Sequence, residues 1–383
     1  MKKTTIIFAF LSFIISCGNK DTDSSSFEFA EDSETLDLTI ALKNEVFTVS
    51  DLIDSIKIIS LKTSVSSLLS GIRDVIITPE YIYILDSYQN GSVAIFDSAG
   101  NFIKRIMPGR GPGETNCVTR ISYDKVNSRL LTYQTFLVNE YSKDGQFVKN
   151  HRIKYLINDF IVTDVGVVCV QNENSNIENT FTVFEKKLFT DEENEHISKC
   201  NEHIYALSMD NHFIKQTSNN IISILRPLDN NIYKYKDGQV TIRYKLIFDE
   251  LDVKGVKKFF DYLAIQKEDL YSFLGKFFET DNYQYFIFQN SQYPVYVYRN
   301  KMSGKTISGH KEIVDNNFIP GRMVTDYGKF FVKLLEPEVL ADDIKEIILS
   351  NPHISKPDKN LIQNFKSGDN PILVLYSLKD DMR

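Results

Sequence analysis

Phe96-Asp97-Ser98-Ala99-Gly100-Asn101-Phe102-Ile103 returns forty-five residues later as Tyr141-Ser142-Lys143-Asp144-Gly145-Gln146-Phe147-Val148. Each copy is an aromatic strand end, a turn with glycine where positive φ is needed, and an alternating strand leaving it, which makes a β-hairpin. A unit recurring at roughly 40 to 50 residues is the signature of a propeller blade. Fainter copies lie at Tyr235-Lys236-Asp237-Gly238 and between Arg299 and Ile307, where Gly304 takes the turn. Ahead of the first copy, Ile72 to Ile77, a Pro79-Glu80 turn and Tyr81 to Leu85 supply two further strands, so that four strands make one blade.

Reading outward from these anchors predicts six blades, near residues 71–106, 118–153, 156–190, 202–247, 274–309 and 318–378. The sixth has strands at Gly321 to Thr325, Phe330 to Leu335 and Pro371 to Leu378, and lacks a fourth. Ser55-Ile56-Lys57-Ile58-Ile59-Ser60-Leu61 precedes the first blade and can supply it, closing the ring and covering both open edges. Two segments break the β pattern. Asp252 to Lys276 carries Val256, Phe259, Phe260 and Leu263 at helical spacing, and Pro337 to Phe365 carries Leu340, Ile344, Ile347 and Ile348 likewise. The expected fold is therefore all-β, a six-bladed β-propeller closed by an N-terminal strand, with two helical insertions. Outer-to-inner and second-to-third connections open on one face of a propeller, so both insertions should flank one mouth of the channel, either walling a site or capping apolar surface.

At the N-terminus, Lys2 and Lys3 precede an apolar run from Ile6 to Ile15 that is too short to span a bilayer as a helix, the form of a signal peptide over residues 1–16. It ends in Ile14-Ile15-Ser16-Cys17, which resembles the lipobox of bacterial lipoproteins, where a cysteine becomes the acylated first residue. Cys17 is then the lipidation site and membrane anchor, since several acyl chains on one residue hold far more tightly than one. Gly18 rather than Asp follows it, which favours the outer membrane, and Lys20-Asp21-Thr22-Asp23 resembles a short cell-surface export signal; an acidic linker looks the same. Both periplasmic and surface-facing locations stay open. Residues 17–35 are Ser- and acid-rich and read as a flexible tether, leaving 36–383 for the propeller.

Loss of Lys2 and Lys3 takes the formal charge from −7 to −9, and no cluster of Lys and Arg is dense enough to track phosphates, which argues against a nucleic-acid partner. With 20 Tyr, 27 Phe and no Trp, and β-branched residues in short runs, the composition fits many strands better than helices. Cys117, Cys169 and Cys200 are an odd trio at irregular spacing and no disulfide framework.

Four stretches together resemble the six-bladed β-propeller lipoproteins common in Bacteroidetes, distant relatives of the NHL-repeat propellers. They are the opening segment Val49-Ser50-Asp51-Leu52-Ile53-Asp54-Ser55-Ile56-Lys57-Ile58-Ile59-Ser60-Leu61-Lys62-Thr63, the strand pair Tyr81 to Asp86 with Val93 to Asp97, the loop Gly109-Arg110-Gly111-Pro112-Gly113-Glu114, and the closing strand Asn370-Pro371-Ile372-Leu373-Val374-Leu375-Tyr376. The resemblance implies a fold and an envelope location and no settled activity.

The Gly109 to Glu114 loop lacks the Gly-Lys-Ser/Thr ending of a nucleotide loop and reads as a tight crossover from blade one to blade two, with Arg110 and Glu114 free to face a ligand. His196, Cys200, His203 and His212 have metal-like spacing, but zinc needs three or four ligands converging, and scattered surface residues explain them more cheaply; the metal stays unassigned. No Gly-x-Ser-x-Gly elbow, His-Glu-x-x-His helix or EF-hand loop appears, Asp342-Asp343 suits a helix N-terminus, and no catalytic residue or cofactor is assigned. A site belongs where inner strands begin and second-to-third turns open. Candidates there are Arg73, Asp86 and Tyr88 in blade one, Arg110 and Glu114 in the crossover, Arg120 and Tyr133 in blade two, Asp159 in blade three and Arg322 in blade six. Tyrosines, arginines and carboxylates together suit a polar ligand, whether glycan, peptide or partner protein. The alternative is an envelope hydrolase or lyase using the same face, metal-assisted if the His196 to His212 region holds an ion.

Overall fold

Runs of valine, isoleucine, tyrosine and phenylalanine, broken by glycine-bearing turns, form six four-stranded antiparallel blades. The computed structural model describes residues 29–380 except 89–90, 108, 110, 112–113, 115–116, 175–178, 190–194, 201–211, 218–219, 227–228, 249–269, 291, 316–318, 320 and 341. Blade one comprises Ile72–Ile77, Tyr81–Asp86, Ser92–Asp97 and Phe102–Ile106; blade two Arg120–Asp124, Arg129–Gln134, Leu137–Ser142 and Phe147–Arg152. The repeated hairpin is the third and outer strand of each, and Gly100 (φ 84°) and Gly145 (φ 83°) hold the positive φ that their turns require. The first strands of neighbouring blades contact one another from Ile72–Ile77 to Arg120–Asp124, to Asp159–Val162 and to Ile214–Gln216; from blade four the second strand, Ile222–Leu225, reaches Ser272–Glu279, which contacts Arg322–Tyr327 and so leads back to Ile72–Ile77. They line the central channel.

The ring closes as predicted. Ile53–Ser60 is the outer strand of blade six, antiparallel to Ile372–Leu378 in a register running from Ser60 opposite Ile372 to Ile53 opposite Leu378. Apolar side chains from two blades interlock at each joint: Ile59, Ile72, Ile82 and Ile84 with Val332, Leu334 and Leu373 where the last blade meets the first. Breaking that joint exposes side chains that are essentially fully buried, which ties closure to burial as well as to backbone hydrogen bonds.

Several boundaries move. The outer strand of blade three is Glu195–Cys200, beyond the expected limit of 190, so this stretch is part of a blade and not a segment between blades. Blade four comprises Ile214–Gln216, Ile222–Leu225, Asn231–Lys236 and Gln239–Ile247. Blade five starts at Ser272, so Lys276 lies in a strand and not in a helical insertion, while the preceding apolar residues Val256 to Leu263 fall outside the described residues. The second insertion is helical, with Pro337–Val339, Asp342–Ser350 and Lys356–Gln363 between the second and third strands of blade six.

The tether ends sooner than expected. Phe29–Asp37 is a fifth strand on blade four, parallel to Gln239–Ile247. Its acidity suits a basic edge: Asp32 pairs with Lys234 at 2.8 Å and Glu34 with Arg299, while Leu36 and Leu38 are buried. The chain then crosses the rim of blade five through the short helix Thr39–Leu42 and the strand Val46–Phe47, which pairs with Lys311–Glu312. Residues 29–60 thus form a belt along the outer edges of blades four, five and six. No helix among the described residues is long and apolar enough to cross a membrane.

Candidate functional site

Inner strands start on the same face onto which second-to-third turns open, and there a cavity of about 1100 Å³ runs from the channel mouth into the gap between blades five and six. The channel end is bounded by Arg73, His212, Lys215, Lys276 and Arg322, the inter-blade end by Phe47, Tyr285, Tyr296, Glu312 and Lys333. Glu336 to Glu338, at the root of the second insertion, form part of the rim.

At the mouth a network of charges joins four inner strands. His212 lies between Asp74 (3.4 Å) and Asp159 (3.3 Å), and Arg120 reaches Asp159 at 3.4 Å. Asp159 is almost wholly buried and also accepts from the Phe213 amide at 2.9 Å, so it fixes the start of blade four from blade three. Burial disfavours the imidazolium, but the carboxylates of Asp74 and Asp159 more than offset it and hold the His212 pKa at about 9. Lys215 meets the opposite balance: burial lowers its amine, Asp326, Asp74 and Asp159 only partly compensate, Lys276 adds repulsion, and the result is a pKa of about 8. Asp326, near the other end of its inner strand, is raised by burial to about 6.

The inter-blade part is aromatic. The Lys215 amine sits 3.5 Å from the centre of the Phe278 ring, Phe278 is 5.9 Å from Tyr285, and Tyr285 is 6.2 Å from Tyr296 with ring planes 11° apart. Phe47, brought in by the belt, continues the row 6.1 Å from Tyr296. At that end Lys333 pairs with Glu312 at 3.6 Å and donates to the Ile319 carbonyl at 2.7 Å. Burial raises Glu312 and lowers Lys333, the expected cost of placing the pair in a desolvated cleft.

Of the residues singled out from sequence, Arg73, Tyr88 and Arg322 line the cavity, with Arg322 also donating to the Ile72 carbonyl at 2.7 Å. Arg120 and Asp159 stand in the adjacent charge network. Asp86 and Tyr133 make structural contacts. Asp86 is buried, accepts from the amides of Ser70 and Gly71, both at 3.1 Å, and pairs with Arg105, pinning the crossover into blade one. Tyr133 is buried and its hydroxyl accepts from the Ile157 amide at 3.1 Å. Glu114 turns back on its own loop, accepting from the Gly111 amide at 2.7 Å, and Arg110 lies outside the described residues. His196 and Cys200 are four residues apart on the outer strand of blade three, and His212 precedes the inner strand of blade four. His203 lies outside the described residues. Cys117 is exposed and Cys169 is buried.

Sequence reading missed Lys215, Lys276, Tyr285 and Tyr296. Tyr283-Gln284-Tyr285 and Tyr296-Val297-Tyr298 are alternating strand patterns like the other blades'. Nothing in them signals which of these rings borders the cavity.

Sequence comparison matches residues 33–377 to the family described as domain of unknown function DUF4934. The chain belongs to the DUF4934 family. No curated protein matches this DUF4934 chain in sequence. Among solved structures, it is similar to a candidate exported protein of Bacteroides fragilis at 15% identity, with a TM-score of 0.72, over 90% of this chain and 100% of that one. A catalytically inactive virginiamycin B lyase from Staphylococcus aureus, solved with quinupristin, matches at 12% identity and a TM-score of 0.40, over 73% of this chain and 81% of that one. At these identities the likeness is one of fold, which the first match shares along nearly the whole DUF4934 propeller.

Proposed function

We propose that this propeller is the exported part of an envelope lipoprotein, anchored by acyl chains on Cys17 in the outer membrane, and that it binds a polar ligand at the mouth of its channel. The cavity carries this reading: about 1100 Å³, walled on one side by tyrosines and on the other by lysine and arginine side chains, is the size and chemistry of a ligand site. A hydrolytic role is less well supported by the same residues. His212 is held cationic between two carboxylates near neutral pH, which unfits it as a general base there. The signal at residues 1–16 and the Ser-rich stretch after Cys17 support export and tethering, and the likeness in fold to an exported protein of Bacteroides fragilis supports a place outside the cytoplasm.

Thermal melts of the purified protein against a panel of glycans and peptides test the binding role. A ligand at a hundred times its Kd adds about 2.7 kcal/mol to stability, a shift such melts resolve. Tyr296→Ala gives up packing against Phe47 and Tyr285 and lowers the unliganded melt, and it is expected to remove the ligand-induced shift measured from that lower baseline. A panel with no shifting member sinks the proposal.

A further inference from the structure

We infer that the loops of blades one to three on the mouth face rest on the membrane, with their exposed apolar side chains inserted among the lipids beside the acyl anchor. This goes beyond the ligand site and rests on the reading of Cys17 as that anchor.

Six large side chains stand out to solvent on consecutive loops of this face. Leu68 precedes the inner strand of blade one, Tyr88 lies in its second-to-third turn and Met107 follows its outer strand; Phe136 lies in the corresponding turn of blade two, and Tyr155 and Leu156 in the crossover to blade three. Tyr88 is 80% and Leu156 56% exposed. Among the described residues, the turns of the opposite face carry only Val126 and Met302, on separate blades. The loops are braced. Arg105 donates to the Leu68 carbonyl at 2.7 Å, the Ser87 amide to the Gly71 carbonyl at 2.8 Å, and the Ile153 amide to the Phe136 carbonyl at 2.9 Å. Phe136 keeps a φ of 63°, a costly conformation for a bulky residue, and holds its ring partly in solvent there.

The anchor puts a bilayer within reach. Residues 17–28 span at most about 40 Å, and the described chain starts at Phe29 on blade four, next to blade three where the arc ends. Phe29 pairs with Ile242, five positions before the mouth-side end of that strand at Ile247, which is about 17 Å at strand rise. Charge favours the same side. The described charged residues on these loops are Lys62, Lys154 and Glu114, whose carboxylate is turned onto its own Gly111 amide, whereas the blade-six rim carries Glu336 and Glu338. Apolar side chains flanked by lysine suit an anionic lipid surface, and the acidic rim holds the mouth itself in water. Such a contact is no stronger than the roughly 10⁴ M⁻¹ of one myristoyl chain, so it is seen at high lipid concentration and lost on the dilution of a cell fractionation.

The chain has no tryptophan, so one introduced reports its own surroundings. In the mature chain, residues 17–383 with Cys17→Ser, vesicles of phosphatidylethanolamine and phosphatidylglycerol should shift the emission of Leu156→Trp to the blue and bromine-labelled lipid should quench it, while Met302→Trp on the opposite face stays unchanged. Phe136→Asn combined with Leu156→Ser should weaken co-sedimentation of the Cys17→Ser chain with these vesicles about ten-fold, with the melt held because asparagine accepts a positive φ. A silent Leu156→Trp reporter, equal responses from both reporters, or co-sedimentation indifferent to the double substitution overturns the inference. So does a concentration-dependent dimer abolished by that substitution, which would give the surface to a second copy. These chains lack the anchor, so their failure leaves acylation intact, and acylation is read separately by labelling at Cys17.

Discussion

Asp159 shows how single residues hold this ring together. Its carboxylate serves Arg120 of blade two, His212 and the Phe213 amide at the start of blade four, and its own strand partner in the chain, the Phe160 amide. Asp159→Ala strands a buried arginine and is expected to cost about 3–5 kcal/mol, read as a fall in the urea midpoint. His212 supplies a pH signature. Its folded pKa of about 9 exceeds the ordinary 6.5, so its contribution is fully present below pH 6.5 and is lost as pH rises through 9. Lys215, lowered to about 8, works the other way above that pH, its penalty being relieved as it deprotonates. The measurable quantity is therefore the stability difference between the wild type and His212→Gln, which should be largest at pH 6 and close by pH 9. A difference that stays constant across that range rules out the ion pairs as its source. The two repeat glycines differ in a way the sequence hides. Both positions carry the roughly 1–2 kcal/mol cost of a left-handed residue with a side chain. A Cβ on Gly100 would also meet the Ser60 carbonyl oxygen at 2.1 Å, whereas on Gly145 its nearest neighbour is the movable end of Ile95. Gly100→Ala should lower the melting temperature clearly more than Gly145→Ala.

Among the elements, the two N-terminal strands have unequal duties. Ile53–Ser60 completes blade six and buries Ile58 and Ile59 in the joints on its two sides, so deleting residues 50–62 should abolish cooperative unfolding. Phe29–Asp37 only adds to a blade that already has four strands, and deleting it should lower the melting temperature while leaving one cooperative transition. If both deletions melt alike, closure is not what Ile53–Ser60 provides. The first of these strands was legible because blade six lacked a partner and Ser55 to Leu61 alternates. The second was not, because Asp32, Ser33 and Glu34 look like a solvated linker until Lys234 and Arg299, more than two hundred residues away, are brought beside them. The same holds for Glu195–Cys200, whose polar sequence is tolerable only on an outer edge.

At the scale of the molecule, the proposed acylation of Cys17 predicts a simple cellular outcome. Cys17→Ser should move the protein from the membrane to the soluble envelope fraction and abolish labelling by a palmitate analogue, with the melt of the propeller unchanged. Retention in the membrane fraction would show that something other than acylation at Cys17 holds it there. The belt of residues 29–60 crosses three blade rims before the first blade begins, so the described residues start at the outer edge of blade four.

Blade number, closure and the face that bears the mouth follow from the sequence, because hairpin turns and strand alternation are local and repeat along the chain at a fixed period. What the mouth is made of was decided only in three dimensions. Residues from opposite ends of the chain, Phe47 and Lys333, border it together, and of the rings beside them Tyr285 is packed into the joint with Phe331 while Tyr296 stays half-buried at its edge. Separation between blades depends on the summed volumes of side chains from distant strands, a quantity that no local pattern records.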